Sequence, residues 1–408
     1  MWPRSVRSQI LNKTFNINNI VADFPSNPEC LSDFETVVVA PTMLPENHKT
    51  QSYNIFVSTW NVGGVTPMED LNIDDMLDSQ NTSCDIYVLG FQEVVPLKAS
   101  NILGFEKKNV STKWNSLISK ALNKKSNSGQ SNNTDFRCLV SKRMVGLLLS
   151  VWVRGDLHPF IRNHDISCVG CGIMGCLGNK GSVSIRFQLH DTSFCFVCCH
   201  LASGGGDGDE QHRNSNAVDI FSRTSFSDNK KHLPKRILDH DQVVILGDLN
   251  YRISLPDQET RSLVNKNDWN ALIKYDQLRT ELMDGQFGAW HEGKINFAPT
   301  YKYLPNSDEY FSKNFDTKRS PAWCDRILWT GDGLKQSLYT RSESKLSDHR
   351  PVKAIFSSQV NVSNLGCRNL YLSDVCSQIP ASFELASEDG YSTNCDRLSF
   401  QYVNKMIS

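Results

Sequence analysis

The sequence predicts an α/β protein: a two-layered, mixed and largely antiparallel β-sandwich flanked by helices. Short apolar runs rich in β-branched residues recur between residues 53 and 356 and stop at Gly, Asn or Asp, as buried strands do. Segments with apolar residues at helical spacing interleave with them. Residues 182–187 and 194–199 flank a short polar turn, a hairpin signal that rules out an all-parallel sheet.

Residues 1–50 are polar, with Pro25, Pro28, Pro41 and Pro45 and one apolar run at 37–40, and read as an extended arm with an edge strand. The first strand, 53–60, is broken by Asn61-Val62-Gly63-Gly64. Apolar residues at 68–77 have roughly helical spacing, and a second strand follows at 85–90. Residues 114–122 read as a short helix and the Ser/Asn/Gly/Gln-rich 124–134 as an exposed loop. Strand 145–153 carries Gly146 as the mark of a bulge. Beyond the hairpin lie a glycine-rich loop, 204–208, and a helix, 209–223, with Ala217, Val218 and Phe221 on one face. Strand 243–246 runs into Gly247, followed by a helix over 268–283 with Trp269, Leu272, Ile273 and Leu282 near one side. Strands 326–329 and 351–356 close the domain, which spans 51–357. Residues 358–408 turn to Ser, Asn and Cys and read as a polar tail.

A net charge of −1 and a pI near 6.8 leave no overall basic field, so no nucleic-acid partner is expected. No apolar run approaches the roughly 18 residues of a membrane span. The N-terminal charges have no apolar core behind them, so no signal peptide is read there. The cysteine count, 13, is odd, and many lie inside apolar runs such as 194–199, which favours reduced, packed thiols and a cytoplasmic setting. The sequons at Asn12, Asn81, Asn109, Asn132 and Asn361 are then accidental. We expect a monomer.

The polar residues are placed by position. Asn61 follows one apolar strand, Glu93 lies just beyond the second and His200 follows the strand ending at Cys199. Asp248 and Asn250 follow the 243–246 strand, aimed one way because strand side chains repeat every two residues. Asp325 precedes strand 326–329, and Asp348-His349 precede strand 351–356. On a shared sheet all of them meet at one rim. Singly, each is more often a turn or cap residue. Together they suit hydrolysis by activated water at a phosphorus ester, with Asn61 and Glu93 supplying hard oxygens for Mg²⁺. Thiol and imidazole ligands are too few for catalytic zinc, and Cys168, Cys171 and Cys176 make only half a zinc site. The glycine-rich 170–181 stretch fails the P-loop pattern, although Lys180 within it suits phosphate as a point charge.

The residues that carry a family are Trp60-Asn61-Val62-Gly63-Gly64, Phe91-Gln92-Glu93, Gly178-Asn179-Lys180-Gly181-Ser182, Cys199-His200-Leu201-Ala202, Gly247-Asp248-Leu249-Asn250-Tyr251-Arg252-Ile253, Pro321-Ala322-Trp323-Cys324-Asp325-Arg326 and Ser347-Asp348-His349-Arg350-Pro351. They resemble the inositol polyphosphate 5-phosphatases, in the form of the plant members, within the endonuclease/exonuclease/phosphatase superfamily. The resemblance implies that superfamily's fold and a Mg²⁺-dependent 5-phosphatase acting on phosphoinositides or soluble inositol polyphosphates in phosphoinositide signalling. It implies that Glu93 with Asn61 holds the metal, Asp248 orients and deprotonates the water, and Asn250 positions the phosphate. His200 and His349 would donate to phosphoryl oxygens, with Asp325 fixing His349 and Asp348 beside the metal and water. Lys180, Arg252, Tyr301, Lys302 and Arg326 match positions that grip substrate phosphates. Lipid or soluble substrate stays open, as does loop contact with a membrane at the inner face of the plasma membrane. Two other readings stand beside this one: a superfamily phosphodiesterase of nuclease or sphingomyelinase type, and an inactive membrane scaffold.

Overall fold

The computed structural model describes residues 49–78, 84–97, 109–124, 135–172, 175, 177–227, 233–283, 287–312 and 319–363. Of the expected arm 1–50, loop 124–134 and tail 358–408, residues 1–48, 125–134 and 364–408 lie outside the described residues, as does Cys176, whereas residues 49–50 and 358–362 belong to paired strands rather than to an arm and a tail. Two six-stranded sheets stack face to face. In the first, β1 (Lys49–Asn61) pairs in parallel with β2 (Ile86–Gln92) and antiparallel with β12 (Val352–Val362). Around them lie β3 (Phe136–Met144), β4 (Leu147–Arg154) and β11 (Leu334–Arg341), in the order β11-β12-β1-β2-β4-β3. The second sheet has β5 (Ile161–Gly170), β6 (Gly181–Leu189), β7 (Thr192–His200), β8 (Gln242–Asp248), β9 (His291–Glu292) and β10 (Asp325–Thr330), in the order β5-β6-β7-β8-β10-β9. Here β7 and β8 are the parallel pair.

The strand interiors explain the stack. In β1, β2, β4, β7 and β8 nearly every side chain from the apolar runs is buried, because helices cover the outer faces while the inner faces meet each other. Between the sheets, Val57, Val88, Leu149, Phe196 and Leu246 share one core. Helix α1 (Asp74–Leu77) and α2 (Asn109–Leu122) cover the first sheet, where Trp114 packs among Trp60 and Phe91. Helix α3 (Asp209–Arg223) covers the second with Ala217 and Ile220. Val218, expected on that face, is 52 % exposed.

Glycine is required near the ends of β7 and β8, one residue before Asp248. A Cβ on Gly247 would lie 2.0 Å from the Cys199 carbonyl oxygen, with φ at +154°, so β7 and β8 approach this closely only with glycine there.

Several elements differ from expectation. Gly146 is a turn residue between β3 and β4 rather than a bulge. The helix expected over 68–77 is one turn, α1. The helix expected over 268–283 is broken into α5 (Trp269–Leu272), a 3₁₀ turn at Ile273–Tyr275 and α6 (Gln277–Met283). The break falls at Asp276, whose backbone is extended and whose carboxylate is buried against Arg326. Helix α4 (Asp257–Asn265) precedes them.

Candidate active site at the end of the sandwich

The rim expected on one sheet is shared by two. Asn61 ends β1 and Glu93 follows β2 in the first sheet, while His200 ends β7 and Asp248 ends β8 in the second. Antiparallel β10 begins at Asp325, directly opposite Asp248 in register. Asp348 and His349 enter β12 from the same end. The sandwich therefore brings the strand-end residues together across its two layers.

Asp248 is at the centre and 2 % exposed. Its Oδ2 accepts from Asn61 Nδ2 at 2.9 Å and lies 3.2 Å from His200 Nε2; its Oδ1 accepts the Asn250 N–H at 3.1 Å. Burial raises its pKa, but His200, His349 and Lys180 outweigh burial and hold the carboxyl well below the usual range. Asn250 adopts a left-handed φ of 59°, a conformation asparagine tolerates. Its Nδ2 donates to the Leu201 carbonyl and its Oδ1 accepts from Arg252 Nη2.

The two histidines are pushed in opposite directions. Burial and the Lys180 charge lower His200, whose Nε2 touches Lys180 Nζ. Burial also works against charge on His349, yet Asp325, Asp248 and Asp348 prevail and raise it to about 9. His349 Nδ1 is bonded to Asp325 Oδ2 at 2.8 Å, which leaves Nε2 as its other donor. Thr300 Oγ1 donates to the same Asp325 oxygen at 2.7 Å, and Trp60 Nε1 holds the His349 carbonyl at 3.1 Å. Thr300 has no sequence mark, because its partner is 25 residues away.

Cations surround this anionic centre. Lys180 is half-buried beside Asp248 and Glu93. Arg252 lies 4.4 Å over the Tyr301 ring, and its Nε and Nη1 are buried without a hydrogen-bond partner. Lys302 pairs with Asp348, and the Tyr301 ring is 4.7 Å from His349. Arg326 is the correction. Expected to grip phosphate, it is fully buried and spent on two carboxylates, Asp276 at 2.9 Å and Glu292 at 2.6 Å, with Trp323 O as a further acceptor. Arg326→Met should leave those carboxylates buried and uncompensated, costing roughly 3–5 kcal/mol of stability. Denaturant unfolding beside Michaelis kinetics checks this: the midpoint falls while the folded fraction keeps its KM.

Asp248, Asp325 and His349 each offer a ligand atom within 4.8 Å of the others. His349 Nδ1 is already bonded to Asp325 Oδ2 at 2.8 Å, which leaves the carboxylate oxygens and His349 Nε2 as the ligand atoms of this trio. Glu93 Oε1 lies 3.8 Å from His200 Nε2 and adds a carboxylate of the kind that suits a hard cation, while Asn61 turns Nδ2 to Asp248 and accepts the Gly63 N–H at 3.0 Å with Oδ1. Glu93 remains 27 % exposed at its side chain and has a left-handed φ of 53°. A groove of about 550 Å³ lies by Arg261, Trp269, Tyr303, Tyr310 and Arg341; its arginines are already paired with Asp257 and Glu343, so it does not rival this centre.

Residues 58–355 match the pattern of Endonuclease/Exonuclease/phosphatase family 2. The chain is 55 % identical over 402 residues to the Type IV inositol polyphosphate 5-phosphatase 9 of Arabidopsis thaliana, covering 92 % of this chain and 95 % of that one. Among solved structures it resembles the inositol polyphosphate 5-phosphatase domain of SPsynaptojanin, in complex with inositol (1,4)-bisphosphate and calcium ion. The TM-score is 0.69 and the identity 29 %, covering 88 % of this chain and 94 % of that one. A Cimex nitrophorin ferrous NO complex shares the fold at 21 % identity and a TM-score of 0.58, covering 76 % of this chain and 99 % of that one. Fold alone therefore does not fix chemistry. The 55 % identity over most of both chains, with the matched pattern, shows that the chain belongs to the inositol polyphosphate 5-phosphatase family.

Proposed function

We propose that residues 51–357 form the catalytic domain of a Mg²⁺-dependent phosphatase. It removes the 5-phosphate of phosphatidylinositol 4,5-bisphosphate, of soluble inositol 1,4,5-trisphosphate, or of both, in phosphoinositide signalling in the cytoplasm. The observation that carries this reading is the Asp248 carboxylate with His200 Nε2 at 3.2 Å and His349 within 4.8 Å, and with Lys180 against His200 and the unpaired Arg252 nitrogens beside it. Such a set holds a phosphoryl group and a water together.

Glu93 and Asn61 would hold the Mg²⁺, which when bound polarises the phosphoryl group and acidifies water. Asp248 orients the attacking water and takes its proton as the bond to phosphorus forms and the bond from phosphorus to the ring 5-oxygen breaks, that oxygen leaving as a hydroxyl with a proton taken up from solvent. His349 donates from its free nitrogen to a phosphoryl oxygen, held by Asp325, and Asp348 keeps Lys302 turned toward the site. His200 and Lys180 face the same oxygens from the other side. Asn250 keeps one amide N–H for the phosphate. Arg252, Tyr301 and Lys302 receive the neighbouring phosphate. Among the described residues no helix is long and apolar enough to cross a membrane. A lipid substrate is met by rim loops, where Val65 and Met68 are 36 % and 67 % exposed just beyond Gly63.

Phosphate release from inositol 1,4,5-trisphosphate, measured beside bilayer phosphatidylinositol 4,5-bisphosphate, tests the reading. Release from at least one is expected, abolished by EDTA and restored by Mg²⁺. Release from neither rejects the substrate class, and undiminished release in EDTA rejects the metal.

A further inference from the structure

The geometry points to Gln277 as a positioning residue for Arg252, coupling the phosphate-binding arginine to helix α3 and the glycine-rich loop. The inference rests on the reading that Arg252 binds a substrate phosphate.

Gln277 and Arg252 exchange two hydrogen bonds. The Arg252 N–H donates to Gln277 Oε1 and the Gln277 N–H donates to the Arg252 carbonyl, both at 2.9 Å. This double bond pattern fixes the backbone of Arg252 where the chain leaves the end of β8. The same Gln277 Oε1 accepts from Arg213 Nη2 at 2.7 Å. Arg213 is fully buried on α3, sits 5.5 Å over the Tyr251 ring and donates through Nη1 to the Gly204 carbonyl at 3.1 Å. Next to it Asn214 Oδ1 accepts from the Tyr251 hydroxyl at 2.6 Å. One amide oxygen thus holds two N–H donors, one leading to the residue that faces the phosphate and one to the loop at 204–208.

The guanidinium of Arg252 needs this support. One of its nitrogens, Nη2, bonds Asn250, and its face rests on Tyr301. Nε and Nη1 are buried and unpaired, so they lose their value if the backbone beneath them moves. A phosphate that binds there profits from donors already in place. Gln277 does not reach the reacting atoms; it acts through Arg252.

The test compares Gln277→Met, which keeps the volume and removes the acceptor, with Gln277→Glu, which keeps an oxygen for both donors. With soluble inositol 1,4,5-trisphosphate and the full chain, Gln277→Met should raise KM by about tenfold, the worth of a hydrogen bond to a charged group. Its kcat should change little, and Gln277→Glu should stay near the parent. Gln277→Asn, with its amide one carbon short, carries the same expectation as Gln277→Met and replaces it if that variant does not fold. In an Arg252→Ala background Gln277→Met should add nothing to KM, because neighbours in one network are not additive. An unchanged KM in a folded Gln277→Met, or an equal further loss in the Arg252→Ala background, overturns the inference. An Arg252→Ala variant with the parental KM overturns the underlying reading of Arg252 instead.

Discussion

Replacing Asp248 with asparagine should cut kcat for phosphate release by about 10³-fold, within the usual range for a positioned general base. The substitution keeps the size of the side chain and an oxygen for the Asn250 N–H, so the turn after β8 has no reason to collapse. What it removes is the charge that His200, His349 and Lys180 all face. Water then has no anion to align it and no acceptor for its proton. Lys180 and His349 are left with less compensation in a buried site, so stability falls modestly while activity falls far. Steady-state kinetics and a thermal melt, taken on the same preparation, separate the two. Near-normal turnover in a folded Asp248→Asn protein would sink the assignment of Asp248 as the water base.

The site was legible because its parts follow apolar runs. Asn61, His200 and Asp248 each end a strand whose β-branched and aromatic residues announce it, and Asp325 and His349 open strands of the same kind. What was not legible is that two layers share the rim, since strand order is set by pairings such as β1 with β12, whose partners lie some 300 residues apart in sequence. The edge strands β3, β5 and β11 were hidden by their own chemistry. Each is partly solvated and mixes polar or charged residues with apolar ones, so no continuous apolar run marks it. Arg326 was misread for a related reason. Local sequence sets it in a motif beside Asp325, whereas its real partners, Asp276 and Glu292, arrive from 50 and 34 residues away. Gln277 was invisible too, because its two donors come from Arg252 and Arg213, on separate elements.

Loss of the His349 imidazole, in His349→Ala, should lower kcat by about 10²–10³-fold, the usual effect of removing one donor to a developing oxyanion. Its partner gives the more diagnostic result. Burial alone would lower the pKa of His349; the Asp325 carboxylate, bonded to Nδ1, leads the opposing charges that raise it to about 9. The imidazolium is therefore present at neutral pH, and kcat/KM should fall as pH rises through about 9. The same shift acts on stability. A group whose folded pKa is raised stabilises fully below its unfolded value, about 6.5 for histidine, and that contribution disappears as pH climbs from there through about 9. Asp325→Asn removes the charge but leaves an amide oxygen that still accepts from Nδ1, so the ring keeps its orientation and loses its main electrostatic support. The basic limb of the kcat/KM profile should move to lower pH, toward the value burial favours, and activity at neutral pH should drop. A basic limb that stays in place in Asp325→Asn would show that the group titrating there is not His349.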